Sequence, residues 1–168
     1  MKVKRGFPLF WREDLQIGPL NKLRGVKMVP EWMKDAPNPF DTVLVANRGE
    51  IAVRIIKAVQ EAGLRAIAIY SEPDKDSLHA EMANQAIYLP GDSLSENYLN
   101  SEAIIEAAKS SGAQAIHPGY GFLSERAEFA EAVTKSGITW IGPSPEAIRT
   151  MGDKISARSR MIESGVPV

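Results

Sequence analysis

The chain has 168 residues, 20 Lys and Arg against 21 Asp and Glu for a formal net charge of −1, 44% hydrophobic residues and no cysteine. That length holds one ordinary domain of roughly 100 to 150 residues with a tail and excludes two full catalytic domains. The composition excludes a basic nucleic-acid surface, a membrane span of roughly 20 apolar residues, disulfides, thiolate metal sites and a Cys nucleophile, and it suits a reducing compartment.

Residues 1–40 differ in composition from the rest. They hold five of the 11 prolines (Pro8, Pro19, Pro30, Pro37 and Pro39) and eight Lys and Arg against four Asp and Glu. No apolar periodicity persists there, so the stretch reads as an irregular, basic arm ending near Phe40. It contains no Ser, and Glu13 and Asp14 interrupt its positive charge. A partner-binding or poorly ordered arm is therefore the preferred reading, and an organelle-targeting segment the alternative. The expected location is cytoplasmic, or mitochondrial if the arm is a targeting sequence. No sustained apolar core marks a signal peptide.

From Asp41 onward, β-branched apolar runs alternate with helical patterns. Thr42 to Ala46 (TVLVA) predicts a buried strand, and Glu50 to Ala62 predicts a helix with Ile51, Ile55, Val59 and Ala62 on its apolar stripe, stopped by Gly63. Arg65 to Tyr70 (RAIAIY) predicts the second strand, Leu78 to Ala83 a short helix, and Ala86 to Leu89 the third strand before Pro90 and Gly91. A helix is expected from Ser101 to Lys109, then a fourth strand over Gln114 to Ile116. A helix from Ser124 to Ser136 and a fifth strand over Ile138 to Ile141 follow. The last helix begins at Lys154, with Asp153 near its cap, and stops at Gly165. This alternation predicts an α/β fold, a Rossmann-like parallel sheet with helices on both faces.

In such a sheet ligands bind beyond the carboxyl ends of the strands. The first strand exits into Asn47-Arg48-Gly49-Glu50, which lacks the three spaced glycines of a dinucleotide fingerprint, and Glu50 in the first helical turn would repel a pyrophosphate. Glu50 reads instead as an i,i+4 partner of Arg54. The fourth strand exits into His117-Pro118-Gly119-Tyr120-Gly121-Phe122-Leu123-Ser124-Glu125. Two glycines around an aromatic let a backbone approach a ligand closely, and Ser124 is a candidate N-cap. The bland alternative is a turn whose Tyr120 and Phe122 fill the rim of the sheet. With only His79 and His117 in the chain, no metal site is expected. The fifth strand exits into Ile141-Gly142-Pro143-Ser144, and Lys154 beyond it is either a phosphate-holding charge or a solvated surface lysine. No GxxxxGK[ST] sequence is present, which excludes a P-loop. Apolar surface from Met151 to Met161 is an expected liability.

VLVANRGEIAVRIIKA (Val43 to Ala58), AIYSEPDKDSLHAEMAN (Ala68 to Asn84), YLN (Tyr98 to Asn100), AIHPGYGFLSERAEFA (Ala115 to Ala130) and WIGPSPEAIRTMGDK (Trp140 to Lys154) stand in this order. Together they resemble the N-terminal domain of biotin carboxylase, the ATP-dependent component of the acetyl-CoA, propionyl-CoA, methylcrotonyl-CoA, pyruvate and urea carboxylases. The resemblance runs from Asp41 to Val168. It implies a pre-ATP-grasp domain over residues 41–150, preceded by the arm of residues 1–40 and followed by residues 151–168 as the start of a connection to an ATP-grasp domain.

The family uses MgATP and bicarbonate to carboxylate biotin on a carrier domain. By resemblance, Tyr120 and Gly121 lie beside the biotin ureido ring within a glycine-rich loop that includes His117, Gly119, Gly121, Ser124 and Glu125. Lys154 contacts ATP, and Lys57 and Glu61 lie on a homodimer face, where an ordinary solvated i,i+4 pair is the alternative. ATP, Mg2+, biotin and bicarbonate are the implied cofactors and substrates. A biotin carboxyl carrier domain and a carboxyltransferase component are the implied partners. No catalytic residue and no metal ligand is assigned within these residues, and the 168-residue chain is expected not to turn over ATP alone. The competing readings are a non-catalytic binding or dimerisation module of the same family, another ATP-grasp ligase with an α/β leading domain and, least of all, an NAD dehydrogenase.

Overall fold

A computed structural model describes residues 39–152, 154–163 and 165. Residues 1–38 of the expected arm of residues 1–40, Asp153, Ser164 and residues 166–168 lie outside them. The elements in chain order are β1 (Thr42–Val45), α1 (Gly49–Glu61), β2 (Arg65–Tyr70), a short 3-10 turn (Glu72–Asp74), α2 (Leu78–Met82), β3 (Gln85–Tyr88), α3 (Ser101–Ser110), β4 (Ala115–His117), α4 (Ala127–Lys135), β5 (Thr139–Trp140), α5 (Pro145–Gly152) and α6 (Lys154–Glu163). The five strands form one sheet in the order β3-β2-β1-β4-β5, with every neighbouring pair parallel. The α/β architecture with a parallel sheet is therefore as expected.

Successive side chains of a strand point to opposite faces, and both faces of this sheet are apolar. Val43, Val45, Ala66, Ala68 and Ala115 form one core with Ala52, Ile56 and Val59 of α1. Leu44, Ala46, Ile67, Ile69 and Ile116 form the other, with Ile104 and Ala107 of α3 and Phe129 and Val133 of α4. The small residues of the first face let α1 lie close to the sheet. On the opposite face Phe129 fills the space and meets the Trp140 ring edge-on, with centroids 5.5 Å apart.

Most element ends fall within one residue of expectation, and the larger differences have identifiable reasons. The fully buried stripe of α1 is Ala52, Ile56 and Val59, while Ile51, Ile55 and Ala62 are only half-buried on its flank. Ile51 is drawn toward the glycine loop, where its Cγ2 would lie 2.9 Å from a Cβ placed at Gly119. Helix α4 begins at Ala127, not Ser124, and Arg126 stands at its N-cap position without a side-chain capping bond. Ser124 is instead part of a turn, its N–H donating to the Gly121 carbonyl at 2.9 Å, and the Arg126 N–H likewise donates to the Leu123 carbonyl at 3.1 Å. The segment after the glycines is therefore consumed by two tight turns. The fifth strand shortens to Thr139–Trp140 at the edge of the sheet, because the Gly142-Pro143 turn follows almost at once. By contrast, Asn100 caps α3 with its side chain, which accepts the Ala103 N–H at 3.0 Å, so Ser101 opens that helix as expected.

Candidate functional site

The strand order reverses at β1: the chain steps outward to β2 and β3 on one side, then returns to lay β4 on the other. The carboxyl ends of the strands at such a reversal are the usual ligand position in these sheets. Asn47 follows β1, and Pro118 to Gly121 follow β4. The Ala46 N–H donates to the His117 carbonyl at 2.9 Å and holds the two exits side by side.

Asn47 is buried, with 4% of its surface exposed, and its carboxamide joins the two exits. Nδ2 donates to the Pro118 carbonyl at 2.8 Å and to the Tyr120 carbonyl at 2.9 Å. Oδ1 accepts the Arg48 N–H at 2.9 Å, so all three contacts agree on which end of the amide is which. His117, the last residue of β4, accepts the Gly119 N–H on Nδ1 at 3.0 Å. Burial holds its pKa below 6.5, so the ring is neutral with its proton on Nε2.

The loop's two aromatics part company. Tyr120 is 68% exposed. Phe122, the one described non-glycine residue with positive φ (44°), stacks its ring on buried Tyr98, with centroids 5.5 Å apart and planes 10° from parallel. The Arg48 guanidinium covers both rings, at 5.5 Å from the Tyr98 centroid and 5.9 Å from that of Phe122. Arg48 also reaches Asp74 at 3.3 Å. The same Asp74 oxygen accepts from the Tyr98 hydroxyl at 2.7 Å and from Ser71 Oγ at 3.1 Å. Burial acts to raise the Asp74 pKa, but the bonds from Tyr98, Arg48 and Ser71 outweigh it and hold the carboxyl below its ordinary value. Burial and the neighbouring carboxylate push the Tyr98 phenol well above its usual range.

Two clefts flank this cluster. One of about 800 Å³ lies between the loop and α5, lined among others by Gly121, Ser124, Glu125, Pro143 and Met151. The other, of about 540 Å³, lies over the exits of β1 to β3 and includes Arg48, Glu72, Asp92 and Ser93.

The fold thus brings His117, Gly119, Tyr120, Gly121, Ser124 and Glu125 together at one strand exit. Lys57 and Glu61 stand apart on the outward side of α1, their charged atoms 3.9 Å from each other, and Glu50 and Arg54 pair there at 3.6 Å. Lys154 opens α6, and its side chain lies outside the described residues. Of the apolar stretch expected to be exposed, Met151 is exposed and Met161 half-buried, and Ile162 just beyond it is exposed. No group of three or more His, Asp or Glu side chains suited to a metal exists among the described residues. No helix among them is long and apolar enough to cross a membrane. Sequence reasoning missed the bridging carboxamide of Asn47 and the joint role of Arg48, Asp74 and Tyr98. The only signal was the position of Asn47-Arg48 directly after a buried strand.

Known proteins are similar to this chain in sequence and fold. A family profile described as the biotin carboxylase N-terminal domain matches residues 39–148. The biotin carboxylase of Halalkalibacterium halodurans is 54% identical over 129 residues, which is 77% of this chain and 28% of that protein. The mitochondrial pyruvate carboxylase of Homo sapiens is 52% identical over 156 residues, covering 88% of this chain and 13% of its own length. Among solved structures, the biotin carboxylase domain of a thermophilic 2-oxoglutarate carboxylase bound to bicarbonate superimposes with a TM-score of 0.74 at 46% identity, over 77% of this chain and 29% of that one. The chain thus spans less than a third of the length of each of these relatives.

Proposed function

The chain belongs to the biotin carboxylase N-terminal domain family, and from that premise we propose that it serves as the leading domain of a biotin-dependent carboxylase. The parent activity is an ATP-dependent carbon–nitrogen ligation in which bicarbonate is activated by MgATP and the ureido nitrogen of biotin is carboxylated. The observation that carries this reading is the exposed Tyr120-Gly121 segment, held at the reversal point of the sheet by Asn47. A flat bicyclic ring with a polar carbonyl suits such a surface, because an exposed aromatic can lie against the ring while a backbone N–H meets the oxygen.

Chemical roles follow for the chain's own residues. Tyr120 and Gly121 contact the ureido ring, and Ser124 and Glu125 border the cleft beside them. Lys154 supplies positive charge toward the nucleotide. Lys57 and Glu61, on the outward side of α1, belong to a homodimer face. Mg2+ would neutralise phosphate charge when bound, but the described residues present no carboxylate set that fits it. Its ligands and the base that activates bicarbonate are assigned to other parts of the parent enzyme, and these 168 residues alone are inactive. A biotin carboxyl carrier domain presents the substrate, and a carboxyltransferase component consumes the product. The compartment proposed is the cytoplasm, or the mitochondrion if residues 1–40 act as a targeting segment.

The test is to isolate the endogenous protein that carries this sequence, measure its intact mass and assay bicarbonate-dependent ADP release with and without biotin. A protein several hundred residues longer whose ADP release is stimulated by biotin is the expected result. A native species of about 168 residues with no such activity would replace the catalytic reading with a binding or dimerisation module.

A further inference from the structure

We propose that Asn47 is the positioning residue that aims the Gly121 N–H at the ligand, a role that rests on the reading of this loop as biotin-facing. Every peptide bond among the described residues is trans. In a trans peptide the C=O of one residue and the N–H of the next point in opposite directions. The Tyr120 carbonyl is drawn onto Asn47 Nδ2, so the Gly121 N–H is turned away from Asn47, at an exposed residue that lines the cleft beside α5. No group among the described residues accepts that N–H. Such a donor on an exposed loop suits the carbonyl oxygen of a ureido ring.

Three details make Asn the residue that does this. The carboxamide must donate twice, to Pro118 and Tyr120, and accept once, from the Arg48 N–H. A carboxylate of the same shape can accept but not donate, and it would face two carbonyl oxygens. Gly119 must lack a side chain, because a Cβ there would lie 2.6 Å from Asn47 Nδ2. Finally, Asn47 is almost wholly buried, so no water replaces its bonds at low cost. The adjacent Arg48 holds the far end of the loop through Phe122, which leaves the segment between Pro118 and Phe122 fixed at both ends.

The experiment uses the full 168-residue chain, labelled with 15N, as wild type and as Asn47→Asp and Asn47→Ser. Asn47→Ser shortens the donor and keeps the site neutral if the acid proves unfolded. Residual dipolar couplings report the direction of the Gly121 N–H, and free biotin is then titrated while that amide is followed. In both variants the Gly121 coupling should change while those of Leu44 and Ile67 in the sheet do not. Biotin-induced movement of the Gly121 resonance should need about tenfold more ligand, as expected for loss of one well-aimed bond. An unchanged Gly121 coupling in the variants would overturn the positioning role. A wild-type chain whose Gly121 resonance ignores biotin would overturn the biotin-facing reading instead, while the couplings still decide whether Asn47 sets the peptide.

Discussion

A methyl group placed on Gly119 would meet the side-chain nitrogen of Asn47 at 2.6 Å, whereas one placed on Gly121 would meet nothing within 4 Å. Both glycines have positive φ, 70° and 68°. Backbone strain is therefore the same for either alanine substitution, about 1 to 2 kcal/mol. Gly119→Ala must in addition displace Asn47 and weaken two buried hydrogen bonds worth about 1 kcal/mol each. The expected order in urea denaturation is Gly119→Ala well below Gly121→Ala, which is itself about 1 to 2 kcal/mol below wild type. Equal midpoints for the two variants would show that Asn47 is not wedged against the loop.

Tyr98→Phe removes one hydroxyl that serves two groups. It donates to Asp74 at 2.7 Å and accepts the Ser71 N–H at 3.2 Å. The loss leaves a buried N–H without that acceptor and should cost about 1 to 3 kcal/mol. The Asp74 carboxyl is held below its ordinary value of 3.8, so its contribution to stability is fully present above pH 3.8 and is lost as the pH falls through the lower, folded value. Tyr98→Phe removes one of the bonds that lowers this pKa. Stability should consequently depend less steeply on pH between about 5 and 2 in the variant; an identical pH slope would show that the Tyr98 bond does not lower the Asp74 pKa.

The two histidines should both be neutral at pH 7. Burial holds His117 and His79 below 6.5, in the latter case against a raising effect from the Ile69 carbonyl and Asp74. For a base with a depressed folded pKa, the unfolded chain binds protons first. Stability is thus fully present above about pH 6.5 and declines as the pH falls below it. Protonation of His117 would also put a hydrogen where Nδ1 now accepts the Gly119 N–H. Two-bond 1H–15N spectra should show a proton on Nε2 of both rings, and titration of either ring at or above 6.5 would contradict the burial argument.

Much of the fold was legible because each strand had its own bounded apolar run. RAIAIY between Gly63 and the polar turn after Tyr70 predicts β2 without error at either end. The start of α4 was not legible, since Ser124 has the composition of a cap but sits inside a turn set by the left-handed backbone of Phe122. At the site, the glycine loop could be found from His117 to Glu125, because its residue types announce a close backbone approach. The partners of that loop could not. Asn47 is 71 residues from Pro118, and Tyr98 is 24 from both Asp74 and Phe122, so their contacts depend on strand order, which no local pattern encodes. Arg48 illustrates the same limit: no local pattern marks it, yet it closes a cluster drawn from four strand exits.

That cluster yields the last prediction. Arg48 lies over two stacked rings and also touches Asp74, although its side chain is 41% exposed. An exposed ion pair alone would contribute little, at most about 1 kcal/mol, and would weaken in salt. The planar guanidinium adds a stacking contribution of about 0.5 to 1 kcal/mol that salt screens less and that a lysine cannot reproduce. Arg48→Lys should therefore destabilise the chain by about 1 kcal/mol, with most of the loss surviving in roughly 0.5 M salt. Combined with Phe122→Leu in a double-mutant cycle, Arg48→Met should show a coupling of about 0.5 kcal/mol or more. A coupling near zero, together with a loss in Arg48→Lys that disappears in salt, would reduce Arg48 to its ion pair with Asp74 and leave the loop held by Phe122 and Tyr98 alone.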